Sequence, residues 1–190
     1  GSLDWEYNGI PLKIESITDY PFDETVKFKF SVDKPTDMPF SFRVPGWCNG
    51  AELYLNGKKV DMNLTAGTFA RISREWSNGD ELELRLPMTL ALKRDRQWQW
   101  LERGPLVFAY DVPHEEIKES EDKFAPRTFN PTGNWNYALD LTPETLGEVK
   151  VIKRSGGYPY ESPALELDVP VHRISNYSEL DCARYTPQVP

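Results

Sequence analysis

Apolar and polar residues alternate with a period of two along several stretches of this chain, and this pattern constrains its fold more than any other feature. The alternation runs through residues 26–32, 40–44, 53–55 and 82–86. A period of two places successive side chains on opposite faces of a strand. Each stretch therefore has one apolar face and one wet face, as strands of packed antiparallel sheets do. Helical periodicity is nearly absent.

Turn signals separate these stretches. Four Asn-Gly pairs occur, at residues 8–9, 49–50, 56–57 and 78–79, and both residue types tolerate the positive φ that tight hairpin turns require. Residues 53–60 form the clearest predicted hairpin. Strands at such spacing are typical of a sandwich or an open barrel. We predict an all-β fold, an antiparallel β-sandwich arranged as two packed sandwich-like units.

The pattern changes near residue 100, and we expect one β-sandwich unit in residues 1–100 and a second, smaller or incomplete one in residues 101–190. Residues 106–110 are apolar on both faces, which predicts a strand that is buried on both sides or one that seals one layer against another. The charged residues 114–123 favour a loop or a short helix, and residues 129–137 favour an irregular loop. Weaker strands are predicted at residues 137–141, 148–153, 164–169 and 172–174.

Charge and hydropathy exclude two classes of partner. The chain carries 22 Lys and Arg against 30 Asp and Glu, a net charge of −8, which disfavours nucleic-acid binding. No apolar run approaches the length of a membrane span, and no signal peptide opens the chain. Gly1 and Ser2 are typical of residues left by tag removal, so we expect a piece of a longer protein whose compartment is unknown.

A series of short motifs in fixed order resembles a known family. The motifs are Tyr20-Pro21-Phe22-Asp23, Arg43-Val44-Pro45-Gly46-Trp47, Leu55-Asn56-Gly57, Trp76-x-x-Gly79-Asp80, Leu86-Pro87-Met88, Gly104-Pro105-Leu106-Val107 and Trp135-Asn136-Tyr137-Ala138-Leu139. Their order and spacing resemble the C-terminal β-sandwich region of bacterial β-L-arabinofuranosidase-type glycoside hydrolases. The resemblance extends roughly from residue 20 to residue 139 and fades after it.

The resemblance implies that catalysis lies elsewhere in a parent protein. In that family an α/α toroid of helices comes first and carries a zinc-bound cysteine nucleophile and a glutamate acid/base. No residue of this chain matches that catalytic motif, so we assign no catalytic residue, no metal ligand and no cofactor to it. The implied partner is the helical catalytic domain of the parent chain, and a homodimer formed through the parent is left open.

The cysteines and histidines give weak signals for chemistry. A nucleophilic cysteine needs a neighbouring base, cation or metal to lower its pKa, and no histidine lies near Cys48 in sequence. Cys48 and Cys182 are expected to be buried free thiols, with a disulfide left open. His114 and His172 are isolated, and we expect them on loops or at the surface rather than in a metal site.

The carboxylates and two tryptophans of the motifs also favour structural roles. Glu81 and Glu83 share the wet face of a strand, so a catalytic carboxylate pair is the minority hypothesis. Trp76 is expected to be a core residue, Asp80 to bond turn amides, and Trp47 to close the end of the sandwich.

Four aromatic residues are candidates for carbohydrate binding. Trp98 and Trp100 would share one face of an extended strand, and Trp135 and Tyr137 lie two apart in a loop rich in Pro, Gly and Asn. Aromatic planes could stack on a plant-derived oligosaccharide. The alternative is that these rings pack between units or against the missing helical domain.

These observations predict a non-catalytic accessory region of a glycoside hydrolase. The alternatives are a carbohydrate-binding module that uses the four aromatic residues and a self-contained enzyme with a carboxylate pair.

Overall fold

The computed structural model describes residues 1–96, 98–154 and 163–174, and these form an all-β chain of antiparallel strands, as predicted. Cys182 lies outside the described residues. The chain divides into two compact units. Unit 1 comprises Gly1–Thr89 together with Arg103–Leu106, and unit 2 comprises Leu90–Glu102 and the residues from Val107 onward.

Unit 1 contains eight strands among the described residues. They are β1 (Ser2–Tyr7), β2 (Ile10–Thr18), β3 (Thr25–Val32), β4 (Thr36–Arg43), β5 (Glu52–Leu55), β6 (Lys58–Lys59), β7 (Phe69–Trp76) and β8 (Glu81–Arg85). Six of them form one sheet in the order β1-β2-β3-β8-β5-β6, and β4 pairs with β7 in a second sheet.

The alternation seen in the sequence separates the two faces of the six-stranded sheet. In β3, Phe30 and Val32 are buried, whereas Lys29, which lies between Phe28 and Phe30, is exposed. In β8, Leu82 and Leu84 are buried. Because cross-strand partners lie on the same face, the apolar residues form one continuous inner surface.

Two of the Asn-Gly pairs close two-residue hairpins. Asn8 and Gly9 join β1 to β2 with φ values of 51° and 76°, and Asn56 and Gly57 join β5 to β6 with φ values of 48° and 77°. Positive φ at both central residues is the geometry of a type I′ turn, whose twist matches that of the flanking strands. The hairpin predicted at residues 53–60 is confirmed.

The two sheets of unit 1 pack as a sandwich through aromatic side chains. Phe30 of the larger sheet stacks on Trp76 of the smaller one, with ring centroids 3.9 Å apart. Phe40 meets Phe28 and Phe30 edge to face at 5.0 Å and 5.2 Å. Trp76 is fully buried, and its Nε1–H donates to the Met38 carbonyl at 2.9 Å. Trp76 is therefore a core residue, as predicted.

The remaining strands are shorter. They are β9 (Leu90–Asp95), β10 (Trp98–Arg103), β11 (Leu106–Phe108), β12 (His114–Lys118), β13 (Arg127–Pro131), β14 (Tyr137–Leu139), β15 (Lys150–Lys153), β16 (Leu165–Asp168) and β17 (Val171–Arg173). They form a three-stranded sheet, β11-β10-β9, and the pairs β12-β13, β14-β17 and β15-β16. A 3₁₀ turn, Leu146–Glu148, precedes β15.

Three local predictions in this part of the chain are wrong in whole or in part. Residues 114–123 begin as strand β12, because pairing with β13 brings Glu116 within 2.9 Å of Arg127 and so accommodates the charges that favoured a loop. The same pairing makes the first part of residues 129–137 a strand. Residues 106–110 are not buried on both sides, since β11 is an edge strand and Val107 is 65% exposed.

Candidate functional site

The outer face of the six-stranded sheet carries the carboxylates that could have formed a catalytic pair. Glu81 and Glu83 do share this face, and the Lys27 ammonium lies 3.2 Å from a carboxylate oxygen of each. Arg85 donates to Glu83 at 2.5 Å, and this hydrogen bond, with the charges around it, lowers the pKa of Glu83 despite partial burial. A general acid in glycoside hydrolysis needs a raised pKa instead.

An open depression of about 410 Å³ lies on the same face. Three of its lining side chains are carboxylates, Asp19, Asp23 and Glu83, and two are the cations Lys27 and Arg85. Asp23 accepts the Glu24 backbone N–H at 2.5 Å, which ties its carboxylate to the turn. Both cations form ion pairs with Glu83, and such ion pairs are typical of solvated sheet faces.

The ionic contacts continue across β5. Arg85 lies over the Tyr54 ring at 4.1 Å, and the Tyr54 hydroxyl donates to Glu52 at 2.8 Å. Lys59 donates to the same carboxylate at 2.5 Å and lowers the pKa of Glu52. Cross-strand pairs of this kind contribute modestly to sheet stability.

Two of the family motifs are joined by the side chain of Asn56. Its Nδ2 donates to Asp80 at 2.7 Å, and its Oδ1 accepts the Glu81 backbone N–H at 2.8 Å. The second Asp80 oxygen accepts the Ser77 N–H at 2.9 Å and lies 3.3 Å from Arg74. We call the Asn56–Asp80 contact the turn clamp, because it joins the β5–β6 turn to the β7–β8 turn.

Burial alone would raise the pKa of Asp80. The hydrogen bonds from Ser77 and Asn56 and the charge of Arg74 outweigh that effect and hold the pKa below its ordinary value. The expectation that Asp80 bonds turn amides is met, whereas the partnership with Asn56 was not predicted. The only signal was that both residues belong to motifs of one family.

A second pair of motifs meets at Gly104. This glycine has a φ of +59°, and a Cβ at its position would lie 2.7 Å from the Met88 sulfur. The neighbouring Arg103 is buried, donates to Glu24 at 2.5 Å, and directs its Nη1 to the same sulfur at 3.6 Å. These contacts hold Arg103–Leu106 within unit 1.

Cys48 is buried, as predicted, and 1% exposed. Its sulfur approaches the Pro87 carbonyl at 4.0 Å. Burial, and to a lesser degree the Glu24 carboxylate, raise the pKa of the Cys48 thiol. A nucleophile or a zinc ligand needs a thiolate, so this environment does not fit either role. Trp47 beside it packs partly buried against the core.

Both histidines are exposed on short strands. His114 is exposed on β12, where its Nδ1 approaches the Val112 carbonyl at 2.7 Å, and His172 is exposed on β17. Within the described ranges, no three His, Cys, Asp or Glu side chains gather as a metal site would require.

The described ranges also contain no helix with the length and apolar character needed to cross a bilayer.

Trp98 and Trp100 lie two apart on β10 and so share one face of that strand. Trp98 is 51% exposed, whereas Trp100 is half-buried and donates its indole N–H to Glu102 at 2.7 Å. Glu102 in turn lies 3.9 Å from Lys93. The exposed Trp98 indole therefore shares a strand face with the Trp100 indole, whose orientation is fixed by its hydrogen bond to Glu102.

Trp135 and Tyr137 form the other candidate pair. Trp135 precedes β14 and Tyr137 begins it, and both are half-buried. The Tyr137 ring packs edge to face on Tyr110, with centroids 5.4 Å apart. Its backbone N–H donates to the Trp135 carbonyl at 3.1 Å. Tyr137 is thus engaged in packing, which leaves Trp98 as the most exposed of the four predicted residues.

Comparison with known proteins supports the resemblance. The family model described as "Beta-L-arabinofuranosidase, GH127 middle domain" matches residues 1–88. No curated protein matches the sequence significantly.

Solved structures share the fold. A GH127 β-L-arabinofuranosidase from Geobacillus stearothermophilus T6, Ara127N-Se, is 24% identical with a TM-score of 0.52, over 88% of this chain and 28% of that one. A structure described as a glycoside hydrolase is 21% identical with a TM-score of 0.53, over 90% and 30% of the two chains. A GH127 β-arabinofuranosidase is 18% identical with a TM-score of 0.50, over 75% and 28%.

This chain spans less than a third of the length of each matched structure. At these identities the structural matches establish the fold, and the family model adds the assignment of residues 1–88. The resemblance predicted from the ordered motifs is thereby confirmed. Residues 1–88 of this chain match the family model of the GH127 middle domain of β-L-arabinofuranosidases, and the described fold is shared with GH127 structures.

Proposed function

We propose that this chain is a non-catalytic accessory β region of a GH127-type glycoside hydrolase and supports a helical catalytic domain of the same protein. The observation that carries the proposal is the role of the motif residues. Asn56 and Asp80 join two turns, and Gly104 and Met88 close a tight contact. These groups stabilise the fold, and none is aimed into a cavity with the chemistry of hydrolysis.

The state of the carboxylates supports the same proposal. Glu83 is hydrogen-bonded to Arg85 and has a lowered pKa, and Asp80 is enclosed by donors and has a lowered pKa. A retaining or inverting glycosidase requires one carboxyl group that stays protonated near neutral pH. The matched family model is that of a middle domain, and the matched hydrolases are far longer than this chain, which fits a parent chain that supplies this chemistry.

The test is an activity assay on the 190-residue chain with aryl β-L-arabinofuranosides, with the Geobacillus β-L-arabinofuranosidase as the positive control. We expect no hydrolysis above the buffer rate from a sample whose circular dichroism shows folded β-structure. Hydrolysis that co-purifies with the chain and is lost in Glu83→Gln would refute the proposal and support the self-contained enzyme.

A second candidate function is carbohydrate binding through β10. The observation that favours it is the exposed Trp98 ring beside Trp100, whose indole is fixed by Glu102. An exposed aromatic plane offers a sugar ring a stacking surface. A plant-derived oligosaccharide is the predicted ligand, and a homodimer formed through the parent stays a prediction.

Affinity electrophoresis on a panel of plant polysaccharides tests this candidate. Trp98→Ala should abolish any retardation, whereas Trp5→Ala, which removes an indole of similar exposure (54%) in unit 1, should leave it unchanged. Equal retardation of the two variants would exclude β10 as the platform, and absence of retardation across the panel would exclude the candidate.

A further inference from the structure

The four Asn-Gly pairs share a chemical hazard, because the glycine nitrogen can attack the asparagine side-chain carbonyl. The new C–N bond closes a succinimide as the side-chain nitrogen leaves as ammonia, and water then opens the ring to aspartate or isoaspartate. We propose that Asn49 is the site at which this chain undergoes such conversion, and that its fold protects the other three asparagines.

Asn49 has no structural obstacle to this reaction. It is exposed and lies in a bend outside the strands, directly after the buried Cys48. Within the part of the chain that the structure describes, its side-chain amide makes no hydrogen bond, and neither does the Gly50 N–H. The space where a Gly50 side chain would stand is open. The nucleophile and the carbonyl are therefore both free to approach each other.

Asn56 is protected by the turn clamp. Its Nδ2 donates to Asp80 at 2.7 Å and its Oδ1 accepts the Glu81 N–H at 2.8 Å. The side chain must break both hydrogen bonds before it can rotate toward the Gly57 nitrogen. Because one of the two partners is ionised, opening this contact costs more than breaking a neutral hydrogen bond.

The other two pairs are protected through the backbone. The Gly79 N–H donates to the Phe30 carbonyl at 2.8 Å, so the nitrogen that would attack Asn78 is already held. Asn8 and Gly9 form a two-residue loop whose positive φ values are fixed by the paired strands on either side. Swinging the glycine nitrogen toward the Asn8 side chain would distort that hairpin.

Conversion at Asn49 would change both the charge and the backbone of the chain. It replaces a neutral amide with a carboxylate, which makes the net charge of −8 more negative by one. Isoaspartate also inserts the side-chain methylene into the backbone next to Cys48, whose N–H donates to Pro45 at 3.1 Å. The modified chain would therefore separate from the unmodified chain by charge.

The experiment is to age the folded chain at mildly alkaline pH and to map the four Asn-Gly peptides by mass spectrometry over time. We expect Asn49 to convert first and Asn56 to convert on the order of tenfold more slowly, or slower still, because its hydrogen bonds must open. In urea the four rates should converge, since all four asparagines precede glycine. Equal rates at Asn49 and Asn56 in the folded chain, or the same ranking in urea, would overturn the proposal.

Two variants sharpen the test. Asp80→Ala removes the acceptor of Asn56 Nδ2 and should bring the Asn56 rate several-fold closer to its rate in urea. Asn49→Gln should eliminate the main acidic species in isoelectric focusing while leaving the melting temperature unchanged, and it does not depend on how well the Asp80 variant folds. Persistence of that acidic species in Asn49→Gln would refute the assignment.

Discussion

Replacing Gly104 with alanine tests whether the contact with Met88 is as tight as the structure shows. Gly104 has a φ of +59°, which costs an L-residue roughly 1–2 kcal/mol. The new Cβ would lie 2.7 Å from the sulfur and 2.8 Å from the Cγ of a buried methionine. Overpacking of a core costs about 1–3 kcal/mol. The lower entropy of the unfolded alanine chain offsets about 0.4–1 kcal/mol.

The expected result is a loss of about 1–4.5 kcal/mol in the free energy of unfolding, measured by urea denaturation with tryptophan fluorescence. Two control variants separate the causes. Gly57 has a φ of +77° but open space around it, so Gly57→Ala should lower the free energy of unfolding by about 0.5–1.5 kcal/mol. Gly46→Ala has neither a positive φ nor a neighbour closer than 4.0 Å, and it should change stability by less than about 1 kcal/mol.

A double variant identifies the clash directly. Met88→Ala removes the atoms that the new Cβ would meet, so Gly104→Ala should cost clearly less in that background, with a coupling of about 0.5–3 kcal/mol. If the two changes are additive, or if Gly104→Ala costs no more than Gly57→Ala, the close approach of Met88 is refuted and only the backbone conformation matters.

Three further predictions follow from the core and the turn clamp. Asn56→Ala should destabilise the chain by about 1–3 kcal/mol more than Asn8→Ala, because both asparagines have positive φ but only Asn56 joins two turns; equal urea midpoints would contradict this. The pKa of Asp80 is lower in the folded chain than in the unfolded chain. Its contribution to stability is therefore present above the unfolded pKa and is lost as the pH falls toward the folded pKa. Below about pH 5, the urea midpoint of Asp80→Asn should fall less steeply with pH than that of the unsubstituted chain. Trp76→Ala should cost at least about 3–5 kcal/mol and Trp5→Ala less than about 1 kcal/mol, since one indole is fully buried and the other is about half exposed; similar melting temperatures would be inconsistent with the described core.

The sequence predicted the local structure of unit 1 well, because a period of two and Asn-Gly turns act over a few residues. It did not predict which strands become neighbours. β3 pairs with β8 and leaves β4 to the opposite sheet, and this choice depends on packing between Phe30 and Trp76, residues 46 positions apart. A short pattern carries no signal for such a contact.

The candidate site shows the same limit. Trp98 and Trp100 were correctly placed on one strand face, but the bond from Trp100 to Glu102 and the packing of Tyr137 on Tyr110 depend on three-dimensional positions. The strand β12 was missed because its charges favour solvent in isolation. Once paired, Glu116 and Arg127 neutralise each other across the hairpin.

The return of Arg103–Leu106 to unit 1 has a consequence for synthesis of the protein. A ribosome delivers residues in order, so Glu24 emerges 79 positions before the arginine that binds it. The first unit can form its sheets early, but its last ion pair and the packing on Met88 must wait until the excursion through Leu90–Glu102 has been translated. A gene fragment ending at residue 88, where the family match stops, would encode a sandwich that never receives its closing segment.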